Sequence, residues 1–178
     1  IFENNLVRAN LPYAAHVTPW FRVDAKAGKT ITIHTDRWEV HGGPGDEEHV
    51  YHGHKIEYIT REGIQEFEPF DWFFGEEVLY HLPDGVKLLE AGWRESGYPA
   101  KKSGVFKSSD VALDKLVQKS SQTLFVCMRE NYMDCPDRER GQWIGDVSSQ
   151  VPQTFYALDR NADNLTKKAI RDFIHLRR

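Results

Sequence analysis

Ser108-Ser109-Asp110-Val111-Ala112-Leu113-Asp114-Lys115-Leu116-Val117 is where this chain changes character. Ser108, Ser109 and Asp110 are residues that cap a helix N-terminus, because a short polar side chain can accept from the free amides of the first turn. After them Leu113, Leu116, Val117, Ser120, Leu124 and Cys127 recur at helical spacing. That spacing predicts a helix from about Asp110 to Met128. Upstream the period is two. Lys29–Thr35, Lys55–Thr60, Ile64–Phe70, Glu76–Leu82 and Val86–Trp93 alternate polar and apolar residues. The turn clusters Gly42-Gly43-Pro44-Gly45-Asp46, Arg61-Glu62-Gly63 and Pro83-Asp84-Gly85 separate them. Strands followed by helices predict an α+β fold. The expected division is an antiparallel β-sandwich over residues 1–105 and a helical part over residues 106–178, with the switch at about 100–108.

Downstream of the first helix, an irregular loop broken by Pro136 leads into expected helices over Ile144–Leu158 and Ala162–Leu176. In the latter, Leu165, Ala169, Phe173 and Leu176 form an apolar stripe. Pro152 falls inside the former, where a proline is expected to kink or divide it.

The bulk numbers bound the function. A net charge of −4 over 178 residues gives no basic stripe for nucleic acid. No apolar run approaches the roughly 20 residues of a membrane span. Cys127 and Cys135 are too few for a disulfide framework, so the compartment stays open. Ile1 at the start, without a methionine or leader pattern, and Arg177-Arg178 at the end suit an excised or processed piece.

The loop carries the chemistry. Asn131-Tyr132-Met133-Asp134-Cys135-Pro136-Asp137-Arg138-Glu139-Arg140-Gly141-Gln142-Trp143-Ile144-Gly145-Asp146 packs carboxylates, two arginines and a tryptophan into one run. A sugar site needs that mix: carboxylates to move protons and grip hydroxyls, arginines to orient them, and an aromatic face for the ring. Charged runs are also common as solvated ion-pair surface, and Asp146 near a helix start also suits capping and the helix dipole.

The pattern Asp-Cys-Pro-x-Arg-x-Arg-x-x-Trp-x-Gly-Asp in this run resembles the signature of the bacterial α-L-rhamnosidases, glycoside hydrolase family 78. Cys127–Met133 is similar to the same family's lead-in, and Val86–Tyr98 to the strand that precedes its catalytic domain. The resemblance implies β-sandwich domains ahead of an (α/α)6 barrel, of which residues 106–178 are the N-terminal, incomplete part. It implies Glu139 as general acid, Asp134 and Asp146 as binders of rhamnose hydroxyls, with Arg138 beside them, and Trp143 as lining of the sugar pocket. Arg138-Glu139-Arg140 has one acid fewer than the Arg-Asp-Glu-Arg of many members. The family inverts configuration, so a second carboxylate is needed as base. The resemblance places it beyond residue 178, which leaves this chain alone inactive or nearly so. The expected partner is a rhamnose-containing carbohydrate, with no nucleic acid, no membrane, no cofactor and no metal. The open edge of a partial barrel would expose apolar helix faces, so self-association is expected. Two other readings stand beside this one: a non-catalytic carbohydrate-binding sandwich module, and an inverting (α/α)6 hydrolase acting on another sugar.

Two clusters compete for attention. His41, His49, His52 and His54 are good ligand types, but no cysteine or helical histidine pair completes a set, so strand or loop histidines are expected. Phe70-Asp71-Trp72-Phe73-Phe74 is an aromatic patch that is a carbohydrate platform if exposed. Core or interface is the expectation, because sandwich cores use such residues.

Overall fold

The computed structural model describes residues 2–3, 5–41, 50–52 and 54–175. In chain order come β1 (Phe2–Glu3), β2 (Leu6–Ala25), β3 (Thr30–Thr35), β4 (Glu39–His41), β5 (Val50–His52), β6 (Lys55–Ile59), β7 (Gly63–Phe67), β8 (Phe73–His81) and β9 (Val86–Ser96). Three helices follow: α1 (Val111–Val126), α2 (Ile144–Ala157) and α3 (Ala162–His175). Strands precede helices as expected, and the class is α+β. Two compact units result, Ile1–Ser96 and Gly97–Arg178.

The first unit is a seven-stranded antiparallel sheet built around β2, with a small β4–β5 ribbon apart from it. The N-terminal half of β2 pairs with β8, from Leu6 opposite His81 to Asn10 opposite Glu77. Its C-terminal half pairs with β7 through Phe21–Ala25 and with β9 through His16–Ala25. One strand of 20 residues thus serves three long ladders, and the sheet curls along it. β8 continues to β3 and β3 to β6. Sequence patterning named no strand before Lys29, so it missed this spine. The reason lies in Pro12, Pro19 and the run Ala14-Ala15-His16-Val17, which hide the alternation. The β2–β8 register shifts between Asn10 and Ala15, and that irregularity takes Pro12 out of the ladder, where its missing amide costs nothing.

Val17, Phe21, Val23, Ile31, Ile33, Val78 and Tyr80 are completely buried and form the core. Phe21 meets Tyr58 edge-on at 5.4 Å and Phe67 at 5.6 Å between ring centroids. The Tyr80 hydroxyl donates to the Gly92 carbonyl at 2.5 Å, and burial pushes its pKa up. Gln65, also buried, is held by the backbone of Arg61 and Gly63 and accepts from the Tyr58 hydroxyl, so no amide atom is wasted. The turns at Gly63 and Gly85 use left-handed φ angles of 88° and 86°, as their glycines predict. The turn expected at Gly42–Gly45 lies outside the described residues.

The second unit follows the sequence closely. The Asp110 carboxylate caps α1 by accepting from the Ala112 amide at 2.8 Å. Asp114, buried one turn on, accepts from Lys107 at 2.7 Å and twice from Ser108. The Lys107 ammonium foremost holds its carboxyl below the usual range. α2 runs unbroken through Pro152, which is exposed, rather than dividing there. Leu165 and Ala169 of α3 are buried, and Phe173 packs partly against them with Leu124, Met128, Tyr132 and Val147. Leu176 lies outside the described residues. Residues 101–104 run beside the end of α2: the Ser103 and Gly104 amides both donate to the Ala157 carbonyl at 3.1 Å. They therefore belong with the helices although they are not helical. No helix among the described residues is long and apolar enough to cross a membrane.

Replacing a fully buried aromatic leaves a cavity, whereas an exposed one leaves none. Phe21→Ala is expected to cost about 3–5 kcal/mol in urea unfolding. Phe70→Ala, at a fully exposed position, is expected to leave the midpoint unchanged.

Candidate functional site

The acid-rich run is the connection between α1 and α2, and hydrogen bonds close it. α1 ends at Cys127, whose amide donates to the Thr123 and Leu124 carbonyls. The Met133 amide returns to the Cys127 carbonyl at 2.8 Å. The Asp134 amide then donates to the Gly141 carbonyl at 2.9 Å, and the Gly141 amide donates back to Asp134 Oδ1 at 2.9 Å. Residues 134–141 are thereby drawn into a loop with both ends fixed. Inside it the Glu139 amide points at Cys135 Sγ, 3.4 Å away, and Arg140 Nε donates to the Pro136 carbonyl at 3.2 Å. Arg140 takes φ 53°, a left-handed conformation that a non-glycine residue adopts at a cost. From α2, Gln150 Nε2 donates to the Met133 carbonyl at 2.7 Å and holds the loop against the helix.

Glu139 sits near the end of the loop with both oxygens engaged. Oε1 pairs with Arg138, and Oε2 accepts from the Trp143 indole N–H at 3.3 Å. The Trp143 ring lies over Gly141, where a Cβ would fall 2.7 Å from the indole nitrogen. Glycine at this position is what allows the ring to lie there. Trp143 is 51% exposed, so much of its surface is free for a ligand.

Asp134 and Asp146 differ from Glu139 in having capacity to spare. Asp134 spends Oδ1 on the loop closure, and Oδ2 carries no hydrogen bond among the described residues. Asp146 lies in the first turn of α2, where the helix dipole favours its charge. Its carboxylate makes no hydrogen bond among the described residues, so it is not a side-chain cap. The Cys127 thiol is pushed up to about 11, by burial first and then by the charges of Cys135, Asp134 and Asp146.

The structure thus joins Arg138, Glu139 and Trp143 in one chain of contacts, and sets the Cys127 thiol 3.9 Å from the Asp134 carbonyl oxygen. Sequence reasoning missed Gly141, Gln142 and Gln150. Gln142 Nε2 donates to Asp172 at 3.2 Å, tying the loop to α3, and Lys168 and Gln142 together hold the Asp172 carboxyl low. No spacing signal announced the Asp134–Gly141 closure, since a local Asp bond reaches the amide two residues on and not seven.

Elsewhere, Trp72 is half-buried, its ring 4.4 Å from the buried His16, so the aromatic patch is at least partly packing. His49 lies outside the described residues, His41 and His52 sit in the β4–β5 ribbon, and His54 Nδ1 is 4.0 Å from Asp71. No group of three or more metal-ligating side chains occurs among the described residues.

Residues 101–178, which contain the whole loop and all three helices, match the family model described as the bacterial alpha-L-rhamnosidase six-hairpin glycosidase domain. A family 78 rhamnosidase of Bacillus sp. GL1 is 25% identical over 89% of the chain, with a TM-score of 0.71. The chain thus resembles the family 78 rhamnosidases in fold and, over residues 101–178, in sequence. A rhamnosidase from Klebsiella oxytoca, solved with rhamnose bound, shares the fold at a TM-score of 0.69 and 13% identity over 87% of the chain. The chain spans 17% and 33% of these two structures respectively. No curated protein sequence matches it.

The loop closure gives a direct test. Asp134→Ala removes the acceptor for the Gly141 amide and is expected to speed its hydrogen exchange by about tenfold, the equivalent of a hydrogen bond worth about 0.5–1.5 kcal/mol. Asp134→Asn keeps a carbonyl oxygen there and is expected to leave the exchange rate within about twofold.

Proposed function

We propose that this chain is the part of an α-L-rhamnosidase that carries its proton donor. On this reading the strand unit is the β domain that precedes the catalytic barrel, and the helical unit contributes the barrel's first helices. Exposed apolar side chains such as Leu116, Phe155 and Ile170 then pack against further helices of the same domain, and self-association is what they do in isolation.

The observation that carries the proposal is the division of labour among three carboxylates in one loop-helix segment. Asp134 Oδ2 and Asp146 are available to accept from neighbouring hydroxyls of a sugar. Glu139 is held by Arg138 and the Trp143 indole, which fixes its direction. Charge-assisted acceptance of hydroxyl hydrogens binds the ring, and the exposed face of Trp143 suits the apolar methyl carbon of a 6-deoxy sugar. When substrate binds, Arg138 swings off Oε1, which takes up a proton from solvent. Glu139, now the general acid, delivers that proton to the glycosidic oxygen as the bond to the anomeric carbon breaks, and Arg138 returns to steady the carboxylate left behind. An inverting reaction needs a general base on the opposite ring face, about 6.5–9.5 Å from the acid, to activate water. We assign that base to a later part of the full-length protein. No cofactor enters the scheme.

The test is hydrolysis of an aryl α-L-rhamnoside by the full-length protein, followed by NMR to read the anomer first released. Glu139→Gln is expected to lower kcat by about 10²–10⁴-fold on a substrate with a poor leaving group. It should cost much less when the leaving group needs no protonation. Product of inverted configuration is expected. A Gln variant as fast as the unaltered protein on both substrates would move the acid away from residue 139.

A further inference from the structure

Two histidines that play no part in the chemistry above meet on the sheet. His34 lies on β3 and His81 at the end of β8. The register sets Thr32 opposite His81 and Leu79 opposite His34, so the two rings are diagonal neighbours on adjacent strands. Their Nε2 atoms are 2.8 Å apart, and the rings stack with centroids 4.9 Å apart and planes 23° from parallel. The His34 Nδ1–H donates to the Thr35 carbonyl at 2.8 Å. That bond fixes the tautomer: Nε2 of neutral His34 carries a lone pair, and His81 Nε2–H donates to it. A ring nitrogen anchored on a backbone carbonyl, with the other turned outward, is the arrangement that prepares a histidine for a metal ion.

The surroundings permit a cation. Arg8 is paired with Glu77 at 3.0 Å, and Lys55 with Glu57 at 2.7 Å, which offsets part of the neighbouring positive charge. Lys55 also lies over the Trp38 ring, whose centroid is 6.0 Å from that of His34. His81 is exposed and His34 half-buried, which gives an ion access from solvent. Burial, His34 and Arg8 all lower the basicity of His81, so its imidazole is neutral and able to ligate at neutral pH. To take an ion at about 2.0–2.1 Å the two rings turn so that their Nε2 lone pairs converge. Imidazole pairs suit the later divalent transition metals, and affinity for nitrogen ligands rises through Ni²⁺ to Cu²⁺.

We propose that His34 and His81 form a two-imidazole site for a divalent transition-metal ion of the Cu²⁺ or Ni²⁺ type, with water in the remaining positions. On binding, His81 carries its proton on Nδ1 instead of Nε2, and the shared hydrogen bond is replaced by two metal bonds. The ion then pins β3 to β8, the two strands that carry Ile31, Ile33, Val78 and Tyr80 of the core.

The test is calorimetric titration of the full chain with NiCl₂ after chelator treatment. The background carries His41→Gln, His49→Gln, His52→Gln and His54→Gln, so that the other histidines of that region do not compete. One Ni²⁺ per chain is expected, with affinity falling as the pH drops and the imidazoles take up protons. Adding His34→Gln or His81→Gln should weaken binding by at least about tenfold, while circular dichroism reports an unchanged fold. Binding that survives either change, or is absent from the background protein, overturns the proposal. If both variants unfold, the Cu²⁺ electron paramagnetic resonance spectrum of the background protein decides. Two equatorial imidazole nitrogens support the site, and one or none contradicts it.

Discussion

The reciprocal hydrogen bonds between Asp134 and Gly141 are the constraint on which the candidate site rests. Each backbone group at the mouth of the loop donates or accepts once, and one side-chain oxygen completes the closure. Without it, residues 134–141 would have to order an acid-rich, proline-broken segment with no ladder or helix to support it, against a backbone entropy of about 1–2 kcal/mol per residue. With it, Glu139 is set where Arg138 and Trp143 can hold both its oxygens. The second oxygen of the same aspartate has no hydrogen bond among the described residues, so a structural residue is also available to a ligand.

The helices supply the frame. α1 ends at the buried Cys127 and α2 begins at Trp143, and Leu124, Met128, Tyr132 and Val147 are packed into one cluster. Tyr132 is completely buried within it, its hydroxyl bonded to Thr166 at 2.8 Å. The left-handed Arg140 marks the point at which this frame imposes a conformation that the local sequence does not favour. Such local conflict is expected where a loop is shaped for a ligand rather than for stability.

Much of this was legible in the sequence because the helical half obeys local rules. The cap at Asp110, the period of α1 and α3 and the start of α2 at Ile144 all appear in the structure within a residue or two of where propensity puts them. Pro152 did not divide α2. A proline on an exposed face removes one backbone bond, and the rest of the helix is held by packing at Val147 and Thr154. The strand half was legible only in pieces. β2 escaped notice because its order comes from pairing with β8, β7 and β9, which lie at least 38 residues further along the chain. The His34–His81 pair was hidden for the same reason, its members being 47 positions apart. Within the loop, residue types pointed to sugar chemistry, but neither the engagement of both Glu139 oxygens nor the double use of Asp134 follows from spacing, since each depends on the fold of the loop.

The central claim is that residue 139 faces the glycosidic oxygen while Asp134 and Asp146 hold the sugar. The most direct measurement is a crystal structure of the full-length Glu139→Gln protein with an uncleaved aryl α-L-rhamnoside. The account predicts the residue 139 side chain within about 2.6–3.2 Å of the glycosidic oxygen, with ring hydroxyls on Asp134 and Asp146 and the C6 methyl against Trp143. A rhamnoside bound with its glycosidic oxygen away from residue 139, or held by neither aspartate, would contradict it.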